Sequence, residues 1–145
     1  MKTFLLSMMI ILWLTGCANP GHVHQMVRKD GGAFTAGELV HDHDRGKNNH
    51  LFWEISNRRY EAHGFAVKRH VHLGELRKRY YFSNPKLWER IFSGLDNDHV
   101  VYSIETIARS TDGHDMSCSL IWKFGAKPAG ICEDRTGSAF PVSFE

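Results

Sequence analysis

The sequence predicts a mainly β domain, α+β at most, built as a small antiparallel barrel or sandwich with one short helix near residues 85–93. Three observations carry this expectation. Apolar residues recur at every second position in Leu51-Phe52-Trp53-Glu54-Ile55, and Phe65, Val67, Val71 and Leu73 share one side of the next run, as in half-buried strands. Turn residues punctuate the chain at Gly74-Glu75 and at Asp134-Arg135-Thr136-Gly137. Only Leu87, Trp88, Ile91 and Leu95 have helical spacing, behind Asn84 as cap and Pro85 as first helical residue, with Gly94 as a stop.

The amino-terminal segment comes first in the chain. Lys2 precedes an apolar run of eleven residues, Phe4 to Leu14, about half of the roughly 20 that a membrane span requires. A basic start, a short apolar core and a small-residue end form the pattern of a secretory signal peptide. Within it, Leu14-Thr15-Gly16-Cys17 resembles the lipobox of bacterial lipoproteins. The resemblance implies that residues 1–16 are removed, that the Cys17 thiol is diacylglycerylated and that the new amino terminus receives a further chain, palmitate-like in chemistry. One acyl chain binds a membrane only marginally, whereas several hold a protein stably. Ala18, where an Asp would favour the inner membrane, points by the same resemblance to the outer membrane, with the domain facing the periplasm.

Residues 17–32 then read as the lipidated cysteine and a flexible tether, rich in polar residues and containing Pro20, Gly21, Gly31 and Gly32. Fifteen flexible residues have a root-mean-square reach of about 20 Å. Residues 33–145 are expected to form a single β-rich domain. Its strands are placed at Ala33 to Val40, Leu51 to Ser56, Phe65 to Leu73, Leu76 to Phe82, Val100 to Arg109, Ser117 to Phe124, Gly130 to Glu133 and Ser138 to Phe144, with a charged loop over His41 to Asn49.

Charge and cysteine usage narrow the function classes. Of 18 Lys and Arg, Lys2 leaves with the signal peptide, so 17 face 16 Asp and Glu, and a net charge of +1 argues against a nucleic-acid partner. With Cys17 lipidated, Cys118 and Cys132 remain as an even pair in an oxidising compartment, where a disulfide is the expected state. Closing a loop of 15 residues is worth about 3 kcal/mol in the chain-entropy model. There is no Cys-x-x-Cys, Gly-x-Ser-x-Gly, His-Glu-x-x-His or phosphate-cradling glycine loop, and the chain is read as non-enzymatic.

Ten histidines remain to be explained, six of them in His-x-His pairs: His22/His24, His41/His43 and His70/His72. Residues two apart on a strand share a face, so each pair can offer two imidazoles to one Zn, Cu or Ni ion. The candidate ligand set is His41, His43, His70 and His72, with Asp42 or Asp44 completing or orienting the shell. His22 and His24 are assigned to the tether. The same residues also suit a solvated polar face and loop, which needs no ion or cofactor.

Two functions follow. The first is a lipid-anchored, non-enzymatic binding or accessory module of the envelope, an inhibitor or assembly factor whose partners are the membrane, through Cys17, and an envelope protein or polymer. In size, anchor and cysteine pair it is similar to small periplasmic lipoprotein inhibitors, including those that block lysozymes. The alternative is a periplasmic transition-metal-binding lipoprotein that uses its His-x-His pairs.

Overall fold

The computed structural model describes residues 21–29, 31–43, 46–70, 72–95 and 100–145. Cys17, its lipobox and the preceding apolar run lie outside them, as does Asp44. Among the described residues nine strands form one antiparallel sheet: β1 (His22–Gln25), β2 (Phe34–His41), β3 (His50–Ile55), β4 (Arg58–His63), β5 (Lys68–His70), β6 (Val101–Ser110), β7 (Asp115–Lys123), β8 (Ala129–Asp134) and β9 (Ala139–Ser143). Two helices, α1 (Leu73–Tyr81) and α2 (Pro85–Phe92), lie between β5 and β6. The mainly β antiparallel architecture is thus the one that alternation in the sequence predicts. Among the described residues no helix is long and apolar enough to cross a membrane.

The sheet runs β1-β2-β3-β4-β6-β7-β8-β9, and β5 pairs with the part of β6 that β4 leaves free. It curls into a half-barrel rather than stacking as two sheets. Its ends meet where Met26 bridges Phe144, with Gln25 and Glu145 exchanging backbone hydrogen bonds of 3.1 and 2.9 Å. Alternate residues point inward: Leu39, Leu51, Trp53, Tyr60, Ile104 and Leu120 pack into one apolar cluster on the concave side. Full burial of such side chains is worth roughly 1.5–3 kcal/mol each. Cys118 and Cys132 are opposite one another on β7 and β8, inside this cluster, and are joined by a disulfide.

A second apolar cluster lies on the convex side, where α1 and α2 cover Val101, Ile121 and Ile131. It corrects one expectation, because Leu76 to Phe82 is mostly helix α1 and not a strand. Leu73, Leu76 and Tyr80 are its buried residues, spaced three and four apart, and Gly74 and Glu75, expected as a hairpin turn, lie inside this helix. The Tyr80 ring stacks on Trp88 at 4.5 Å and its hydroxyl donates to Glu105 on β6 at 2.5 Å, which fixes α1 to both α2 and the sheet.

A second correction concerns the tether. Its His22–Gln25 stretch is strand β1, and Met26 is buried. The Met26 N–H donates to the Gly37 carbonyl at 2.8 Å, and a Cβ on Gly37 would stand 2.7 Å from Met26 Cε. Gly37 therefore leaves the space that seats Met26, and with it β1, on the edge of β2.

Candidate metal centre

Register builds the site. β1 and β2 pair with His22 opposite His41 and His24 opposite Leu39, so His22, His24 and His41 share the concave face. His43 follows two residues beyond His41. The four rings gather at one mouth of the half-barrel: the His41 centroid lies 5.3 Å from that of His22, 5.2 Å from His24 and 5.5 Å from His43. His22 and His43 are 5.7 Å apart. Trp122 stands 5.0 Å from His41 and Tyr102 4.6 Å from His43, forming the aromatic wall of an open groove of about 290 Å³. Lys127 lines its rim.

His41 is the buried member, 2% exposed, whereas His22 and His43 are exposed. His24 Nε2 and His41 Nε2 are 3.2 Å apart. Zn–N bonds of 2.0–2.1 Å at a tetrahedral angle put two ligating nitrogens about 3.3–3.4 Å apart, so this pair already has the edge of such a site. The Nδ1 atoms of both rings are buried without a hydrogen-bond partner. Buried polar atoms are rarely left so.

The electrostatics favour the neutral form of the two inner rings, His41 and His24. Burial, followed by the neighbouring rings of His24, His22 and His43, pushes the His41 imidazole down to about 4. His24 is lowered by burial first, then by Lys127 and His22. A neutral imidazole retains the lone pair that a transition metal needs.

The sequence-based ligand set is half assembled. His41 and His43 do come together, but with His22 and His24 in place of His70 and His72. His70 lies opposite Val101, on the face beneath the helices, and its Nε2 is 2.7 Å from Ser103 Oγ; Tyr102, one residue along β6, faces the groove. His72 is exposed at the start of α1 and caps it with no side-chain hydrogen bond. Asp42 is tied through its backbone N–H to Asn49 Oδ1 at 2.8 Å. The signal for His22 and His24 was their own His-x-His spacing, the strand-face pattern that His41 and His43 also have.

Comparison with protein-family models, with curated proteins and with solved structures finds no match to this chain.

Proposed function

We propose that this protein is a lipid-anchored envelope lipoprotein whose domain binds a transition-metal ion, Zn(II), Cu(II) or Ni(II), in the groove formed by His22, His24, His41 and His43. The observation that carries the reading is four imidazoles converging from two paired strands and one loop, two of them at ligating separation. Borderline divalent ions favour imidazole donors, and an all-histidine set has no thiolate to select a soft ion. The groove is open, so an ion can enter and leave without unfolding the sheet. This makes the domain a non-enzymatic binding module of the periplasm, with the ion, or a protein that delivers or accepts it, as partner.

The lipobox resemblance supports the anchor, and it bears on the site. His22 stands five residues after Cys17, and five residues span at most about 18 Å. An acylated Cys17 keeps the groove next to the membrane surface, facing the periplasm if the outer membrane holds it.

The test is titration of the metal-stripped, untagged protein with each ion, followed by calorimetry and native mass spectrometry. The wild type is expected to bind an ion that the His22→Asn/His43→Asn protein, altered only at exposed positions, holds at least about tenfold more weakly. Unchanged affinity in that variant, or no binding by the wild type, contradicts the proposal.

A further inference from the structure

A second group of potential ligands stands away from the groove, on the β3–β4 hairpin. Ser56 and Asn57 join these strands with φ of 51° and 59°, the two left-handed residues of a type I′ turn, which suits the right-handed twist of the strands. The resulting register sets His50 opposite His63, and Glu61 is two residues from His63 on the same face. The two imidazoles stack with centroids 4.4 Å apart, and Glu61 Oε2 lies 3.3 Å from His63 Nε2. One ligating atom from each of the three residues lies within 4.8 Å of the other two.

A surface ion pair between His63 and Glu61 accounts for only part of this. His50 Nε2 is buried with no hydrogen-bond partner, so the inner end of the group has an unsatisfied nitrogen that an ion would satisfy. Arg59 pairs with the other oxygen of Glu61 while its guanidinium lies 3.8 Å over the Phe52 ring. The carboxylate is thereby oriented, with Oε2 left toward His63, as outer partners orient the ligands of metal sites. Arg59 also adds a positive charge nearby, and the anionic Glu61 with Glu54, 3.5 Å from Arg59, offsets it.

We infer that His50, Glu61 and His63 form a second metal site, a two-histidine, one-carboxylate set for a divalent first-row transition ion with coordination positions left open. The set matches three-ligand zinc sites and facial two-histidine, one-carboxylate sites in donor type. Ligand bonds of 2.0–2.2 Å bring donors to about 3.0–3.5 Å from one another, a contraction of at most about 1.3–1.8 Å that the exposed His63 and half-exposed Glu61 can make by changing rotamer. The site stands independently of the groove, since no residue is shared and the donor sets differ in charge.

The experiment is zinc stoichiometry by native mass spectrometry on the untagged full chain in mild detergent, with Co(II) absorption as a second readout. The wild type is expected to take two ions, the Glu61→Gln/His63→Asn protein one, and the His22→Asn/His43→Asn protein one, with distinct Co(II) spectra for the two singly loaded forms. Zinc stoichiometry and Co(II) spectrum unchanged in Glu61→Gln/His63→Asn overturn the inference. A wild type that takes a single ion separates the two sites: loss of it only through the hairpin variant supports this site and contradicts the groove, and loss of it only through the groove variant does the reverse. His50→Asn provides a second variant, expected to lose the same ion, with circular dichroism checking that its fold is intact.

Discussion

Two regions of the molecule carry a His-x-His pair with identical spacing, the end of β2 with His41 and His43 and the β5–α1 junction with His70 and His72, and they have opposite surroundings. At β2 the neighbouring strand brings two more imidazoles to the same face, and the aromatic wall of Tyr102 and Trp122 encloses one side. β5 ends at His70 and α1 begins at Leu73, so His72 lies beyond the strand, exposed at the start of the helix, and the two do not share a strand face. His70 is left with a serine hydroxyl and with Lys68 and Arg79 among the charges around it, which, after burial, lower its pKa. The difference teaches that two-residue spacing supplies only the possibility of a site. Strand register decides which other donors arrive.

The strongest way to break this comparison is to delete donors from each region. His24→Asn with His41→Asn is expected to weaken zinc binding in the groove by at least about a hundredfold, since ligand loss exceeds the tenfold to hundredfold effect of outer partners, while His70→Asn with His72→Asn leaves it unchanged. Calorimetry on both double variants, with circular dichroism for the fold, checks this.

Unseating β1 is the next largest perturbation. Met26→Ala removes a buried side chain that holds β1 between β2 and the end of β9, and is expected to cost about 2–5 kcal/mol in urea unfolding. It should weaken groove binding as well, because His22 and His24 lose their fixed register.

Acid sharpens the comparison without altering a ligand. Between pH 6.5 and about 4, unfolded His41 binds a proton that folded His41 does not. The metal-free protein therefore loses stability as the pH falls through that window, and the loss is complete below about 4. His41→Gln should flatten this part of the stability curve, measured by urea midpoints at successive pH values. A slope unchanged by His41→Gln assigns the effect to other groups.

The smallest effects belong to the β5 pair. His70→Asn is expected to cost on the order of 1 kcal/mol through the Ser103 contact, and His72→Asn, at an exposed position with no cap hydrogen bond, to stay within about 0.5 kcal/mol of the wild type. Thermal unfolding of the two single variants separates them.

Much of the fold is legible in the sequence because it rests on local periods. Leu51, Trp53 and Ile55 alternate into the concave core, and Asn84 and Pro85 take the expected cap and first-turn positions of α2, although its buried residues are Trp88, as expected, and Phe92, outside the expected stripe, with Leu87 and Ile91 only half-buried. The cysteine pair joins as compartment and parity predict. What is not legible is whatever depends on partners far along the chain. β1 is only four residues long and mostly exposed, so it has no apolar alternation of its own and reads as tether until Gly37 and Phe144 are seen to hold Met26. α1 hides because Gly74 and Glu75, which lie inside it, read as a hairpin turn. The site splits in the same way. His41 and His43 are visible as a pair, whereas the contribution of His22 and His24 depends on the β1–β2 register.

The most direct test of the central claim is nitrogen-15 NMR of the histidine rings as zinc is added to the metal-stripped protein. The account predicts that the ring nitrogens of His22, His24, His41 and His43 move to metal-bound shifts while those of His70 and His72 stay where they were. Shifts at His70 and His72, or no response in the four groove rings, would contradict it.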